Sequence, residues 1–255
     1  MAHVSSYIIC ATPRSGSTLL CDLLNGTGVA GHPNSYYRRQ GIPEWARAWG
    51  VSPPNVPGNE AFERTYLEAV RQAGTAQTGV FGLRLMWGTV AELSARLTTI
   101  YPGPLDAAAR FERAFGKTLY VHLARQDKVA QAVSLLRAEQ SGLWHRAADG
   151  TERERSAPPT PAIYDANRLA GFVEDLKADD AAWNGWFAAH GISALRLTYE
   201  YLASAPQAAL ADVLLALDLD PRIAATVNAK TRKLADETSL DWAKRFRKES
   251  DDHVP

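Results

Sequence analysis

Seven residues near the start of the chain, Thr12-Pro-Arg-Ser-Gly-Ser-Thr18, gather the donors that an oxyanion needs. Gly16 allows the backbone to approach an anion closely, and Ser15, Ser17 and Thr18 add hydroxyls. Arg14 adds a permanent charge on a planar fork suited to phosphate or sulfate oxygens. An apolar run over 7–12 precedes the segment, and Leu19, Leu20, Leu23 and Leu24 follow at helical spacing. The loop therefore joins a strand to a helix, whose first amides are unpaired donors at the positive end of the dipole. The loop of nucleotide triphosphatases ends in Gly-Lys-Ser/Thr, and no Lys lies between residues 1 and 116 here. The plain alternative is a polar strand–helix turn that holds no ligand.

Arg125 closes a second strand, Thr118-Leu-Tyr-Val-His-Leu-Ala124, at the edge where ligands of open α/β sheets collect. Asp127 can cap the helix that follows, on which Ser134 can turn toward the same edge. A surface ion pair for Arg125 and a bond from Ser134 to its own helix backbone are the ordinary uses of these residues.

The elements that must position these groups follow from periodicity. Gly26 and Gly28 should end the first helix, and 33–60 reads as irregular with one short helix around 43–49. Phe62 to Gln72 reads as a helix stopped by Gly74, Gly79–Trp87 as a strand and Val90–Leu97 as a helix. The polar, proline-rich stretch 147–161 should be a mobile loop. A long helix is expected over about 163–189, a strand over Ser193–Thr198 and a helix through Leu210, Val213, Leu214 and Leu217. Strands alternating with helices point to an α/β fold with a mostly parallel central sheet flanked by helices.

The 255 residues fit one large domain, taken as 1–255. The 28 Lys+Arg balance 28 Asp+Glu, which argues against holding nucleic acid on a broad basic surface but leaves room for a local anion site. No apolar run reaches the roughly 18 residues of a membrane span, and the N-terminus lacks the pattern of a signal peptide. Cys10 and Cys21 are too few for a disulfide scaffold or a zinc cluster, and the 6 His show no metal-ligand spacing. A cytoplasmic protein without a metal is expected.

TPRSGSTLL resembles the 5′-phosphosulfate-binding loop of sulfotransferases that use 3′-phosphoadenosine 5′-phosphosulfate, PAPS. GVAGHP, GVFGLRLMW, QAVS and WHR are similar to one bacterial branch, that of the trehalose and the lipopolysaccharide or nodulation-factor type enzymes. The resemblance implies a P-loop-like sulfotransferase fold, PAPS as donor and PAP as product, a carbohydrate or glycolipid acceptor, and a homodimer. It implies that Arg14, Ser15, Gly16, Ser17 and Thr18 hold the 5′-phosphosulfate and that Arg125 and Ser134 grip the 3′-phosphate. Arg84, Trp87, Trp144 and His145 lie in its motifs near the meeting place of donor and acceptor. A strand-edge ion pair for Arg84 and core packing for the tryptophans are the competing uses. Glu200, in Thr198-Tyr-Glu-Tyr-Leu202, should orient neighbouring loops. The charged tail with Lys230, Arg232, Lys233, Arg245 and Arg247 falls where such enzymes close over the nucleotide.

The general base is less direct. The trehalose branch carries a Glu just after the Gly-x-Pro that follows the first helix, whereas this chain reads Gly31-His32-Pro33-Asn34-Ser35-Tyr36-Tyr37, with no carboxylate before Glu44. His32 is the natural substitute, because an imidazole titrates near working pH, with Arg14 supplying charge to the reacting group. His145 and Glu44 are the other candidates. Loss of the base would leave a protein that binds PAPS or PAP without catalysis, and an ATP-dependent phosphotransferase is the third reading.

Overall fold

The computed structural model describes residues 4–54, 56, 58–147, 149–228, 231–232 and 236–252. Lys230 and Lys233 lie outside them. The chain begins β1 (Ser6–Ala11), α1 (Ser17–Thr27), α2 (Ile42–Ala48), α3 (Glu60–Thr75), β2 (Phe81–Met86), α4 (Trp87–Ile100) and α5 (Ala107–Phe115). It continues with β3 (Thr118–Ala124), α6 (Lys128–Ser141), β4 (Leu143–Ala147), β5 (Glu152–Arg155) and α7 (Ala166–Ala189). The last elements are β6 (Leu195–Thr198), α8 (Tyr199–Ser204), α9 (Pro206–Ala216), a 3-10 turn (Pro221–Thr226), β7 (Thr231–Arg232) and α10 (Glu237–Asp251).

Four strands form a parallel sheet in the order β2-β1-β3-β6. β1 is buried along its whole length because both of its faces are covered. Ile8 and Cys10 pack with side chains of α3, α4, α5 and α7, while Tyr7, Ile9 and Ala11 pack with those of α1 and α9. The alternation of one strand thus feeds two cores. A third core joins α6, α7 and α10 through Val133, Leu136, Leu169, Val173 and Phe246. The mostly parallel sheet flanked by helices agrees with the expectation from the alternating pattern.

Three expectations are corrected. Gly26 and Gly74 lie inside α1 and α3, at close approaches: a Cβ on Gly26 would meet Val227 Cγ1 at 2.8 Å, and one on Gly74 the Phe81 ring at 2.5 Å. Small size, not helix breaking, explains both. The stretch 147–161 is not simply a loop, since β5 returns along β4 to make an antiparallel hairpin, and β7 pairs with the other edge of β4. α5 was not expected at all; Asp106 caps it by accepting the amide of Ala109 at 2.8 Å.

Gly31 carries a test of the turn that leads away from α1. Its φ is +69°, and a Cβ there would lie 2.2 Å from the Val80 carbonyl oxygen and 2.6 Å from that of Gly74. Gly31→Ala should lose roughly 3 kcal/mol through left-handed strain and overpacking together. A denaturant midpoint equal to wild type would refute this account of the turn.

Candidate active site

β1 and β3 end side by side, with Ala11 opposite Leu123, so the loops leaving them share one edge of the sheet. The first loop is pinned from beneath. Trp183 Nε1 donates to the Ala11 carbonyl at 3.1 Å, and the buried Gln131 amide donates to Thr12 Oγ1 at 2.9 Å and to the Pro13 carbonyl at 2.7 Å. Arg14 then takes φ 62° and Gly16 φ 87°. Gly16 is the N-cap of α1 and brings no side-chain cap to the first amides, which stay free for an oxyanion. The Ser15 hydroxyl is buried without a hydrogen-bond partner.

Arg14 is fixed by two bonds, Nε to Ser134 Oγ at 2.9 Å and Nη1 to the Trp144 carbonyl at 2.6 Å. Arg125 lies over the Tyr199 ring, 4.4 Å from its centroid, and Nη1 reaches the Arg14 carbonyl at 3.5 Å. Its buried Nε has no partner. Burial first, and then the charge of Arg125, bring the Arg14 guanidinium down to about 10; burial also lowers Arg125. Both remain charged at neutral pH, so the site holds two desolvated cations whose mutual repulsion an anion would relieve. Glu200 accepts the amides of Gln126 and Asp127 at 3.1 and 3.2 Å, which sets the turn carrying Arg125 and bears out its orienting role.

Arg14, Arg125 and Tyr199 line one cavity of about 620 Å³. Arg84 enters it from β2, donating from Nη1 to Thr18 Oγ1 and from Nε to Ser35 Oγ, both at 2.7 Å. His145 enters from β4, with Nε2 3.1 Å from Thr18 Oγ1. Burial, with Arg14 and Arg84 next in weight, pushes its imidazole down to about 3, so the ring is neutral. Arg247 of α10 also lines the cavity and donates to Asp127 at 2.7 Å, whereas Arg245 turns away to Glu249.

Gly16, Ser17, Thr18, Ser134 and Trp144 also border this cavity. Four others do not. Trp87 packs edge-on against Trp183, centroids 5.1 Å apart, at the margin of the core. Ser15 is buried behind the loop. His32 is exposed and outside the lining, its Nδ1 3.2 Å from the Tyr36 hydroxyl. Glu44 is exposed in the first turn of α2.

Sequence reasoning passed over Gln131, Tyr199, Arg38 and Glu154. Arg38 and Glu154 both line the cavity and pair at 3.1 Å. The run Glu152-Arg153-Glu154-Arg155 has no apolar alternation, so it carried no strand signal for the last of these. Among the described residues, no group of three His, Cys, Asp or Glu could hold a metal ion, and no helix is long and apolar enough to cross a membrane.

The family model described as Stf0 sulphotransferase matches residues 6–249. The chain is similar to the trehalose 2-sulfotransferase of Mycobacterium tuberculosis strain Erdman, 31% identical over 264 residues that span 97% of this chain and 96% of the relative. It is 28% identical to the trehalose 2-sulfotransferase of Mycolicibacterium smegmatis, again over 97% and 96% of the two. The sulfotransferase domain from the Synechococcus PCC 7002 olefin synthase aligns at a TM-score of 0.49 and 16% identity, covering 97% of this chain and 96% of that one.

Proposed function

Because the chain belongs to the Stf0 sulphotransferase family, we propose that it moves a sulfuryl group from PAPS to a hydroxyl of a carbohydrate or glycolipid. The observation that carries this reading is the meeting of Arg14 and Arg125, two half-buried cations on neighbouring strand ends, in one cavity. The 5′-phosphosulfate lies along Arg14–Thr18, where free helix amides and the Arg14 fork face its oxygens. Arg125 and Ser134 receive the 3′-phosphate. Arg84, already bonded to Thr18, adds positive charge where the sulfuryl oxygens pass. The acceptor oxygen attacks sulfur in line while the bond to the 5′-phosphate breaks. Charge therefore shifts onto oxygens that fixed donors already surround, and the barrier falls. Two relatives are named for trehalose, which makes that sugar the first acceptor to try.

PAP titrated by calorimetry tests the donor site. The wild type should bind it, and Arg125→Ala should weaken binding about 10- to 100-fold, the worth of a charged hydrogen bond lost from a buried anion. ATP with magnesium should not displace it. Failure of the folded wild type to bind PAP would refute the reading, and displacement by ATP would favour phosphoryl transfer.

A further inference from the structure

Transfer to a hydroxyl releases a proton, and a group within reach of the reacting oxygen must take it. Among the described residues three carboxylates line the cavity: Asp127, Glu139 and Glu154. Asp127 is committed to its helix and to Arg247, accepting from the Ala130 amide at 3.0 Å and from Arg247 at 2.7 Å. Glu139 is drawn outward by Arg168 at 2.8 Å. Glu154 is placed otherwise. It is the cross-strand partner of His145 in the β4–β5 hairpin. One of its oxygens lies 3.1 Å from Arg38 Nη1 and the other 3.5 Å from His145 Nε2, and that nitrogen is 3.1 Å from Thr18 of the anion loop. A single imidazole thus separates the carboxylate from the loop.

Resting on the sulfotransferase reading, we propose that Glu154 is the general base that removes the proton of the acceptor hydroxyl. The new bond joins the acceptor oxygen to sulfur as the bond from sulfur to the 5′-phosphate oxygen breaks. That electron pair leaves with PAP, and the proton passes to a Glu154 oxygen and on to solvent. His145 is the poorer base, since burial and four surrounding arginines, Arg14, Arg84, Arg153 and Arg38, hold its ring neutral and reluctant to accept a proton. It keeps its place as the spacer between Glu154 and Thr18. The hairpin is held independently of Glu154: Arg153 forks onto the buried Asp22 of α1, with Nη2 to Oδ1 at 2.8 Å. Arg155 also donates to the Ser141 carbonyl at 2.6 Å. Removing the Glu154 charge therefore leaves the wall standing.

The test uses Glu154→Gln, which keeps the shape. PAP release from PAPS is followed with trehalose as acceptor and with water alone, across acidic and neutral pH, beside PAP binding by calorimetry. The expected result is a kcat lower by about 10²- to 10⁴-fold, the usual contribution of a positioned base. PAP affinity should be unchanged and the acid limb of the wild-type pH profile lost; Glu154→Asp should keep that limb at a reduced rate. Turnover of Glu154→Gln within about tenfold of wild type, with the limb intact, would overturn the proposal. So would an equal loss of PAP binding, a limb that vanishes in His145→Gln instead, or a wild type that binds PAP yet releases none. A wild type that fails to bind PAP removes the donor reading beneath it, which is a different result.

Discussion

Arg14→Ala should lower sulfuryl transfer by about 10³-fold, the upper range for one preorganised donor to a developing oxyanion. The residue is not a loose surface cation. It sits at φ 62°, a region L side chains seldom take, and its fork is fixed by Ser134 Oγ and the Trp144 carbonyl. Such strain is retained where the surroundings over-determine it. Truncation removes a desolvated charge from the proposed anion site, and it also leaves Ser134 and the β4 carbonyl without their donor. Arg14→Lys should recover only part of the rate, because a point charge cannot span two acceptors and still face the substrate. The assay is PAP release from PAPS, and a rate for Arg14→Ala within tenfold of wild type would sink the role.

Gly16→Ala is the second large effect, and it strikes both halves of the proposed donor site at once. A Cβ on Gly16 would lie 2.7 Å from Tyr199 Cδ2 and 3.3 Å from Cε2. The Tyr199 ring is the surface on which Arg125 rests, 4.4 Å from its centroid. The methyl group must push the ring, and the ring carries Arg125 with it, while φ 87° adds strain of its own. The expected outcome is about 2–3 kcal/mol less stability from strain and overpacking, with PAP affinity falling at least about 10-fold as Arg125 shifts. Arg125→Ala should then add little to Gly16→Ala in a double-mutant cycle, since both act through one guanidinium. Full additivity in calorimetry would break the link.

The parallel sheet, the glycine- and hydroxyl-bearing loop between β1 and α1, and the Arg after β3 were legible because each depends on local pattern. An apolar run, a glycine among hydroxyls and an Arg at a strand end are read over a few neighbours. What escaped the sequence is tertiary. Glu154 stands 119 residues beyond Ser35 in chain order, yet β5 delivers it to Arg38 in the same cavity. Its segment is rich in charge and proline, and only pairing with β4 makes it a strand. His32 has the right chemistry, but Gly31 turns it to the exposed side of the loop, where its amide donates to the Gly74 carbonyl at 2.8 Å. Trp87 sits in a motif near the site and opens α4, so its ring turns to Trp183. Gly26 and Gly74 were read as helix stops because a sequence does not reveal which neighbour crosses a helix closely.

The strap on Arg14 from the hairpin is the carbonyl of Trp144 and not its indole, which bonds Ser156 instead at 2.9 Å. Every residue type carries a carbonyl. Side chains of β4 and β5 other than His145, Arg153, Glu154 and Arg155 can therefore be exchanged while Arg14 keeps its anchor. Under the proposed function, changes of acceptor are thereby uncoupled from the hold on the donor, and a hairpin transplanted with those four residues kept is the natural unit for re-targeting this scaffold.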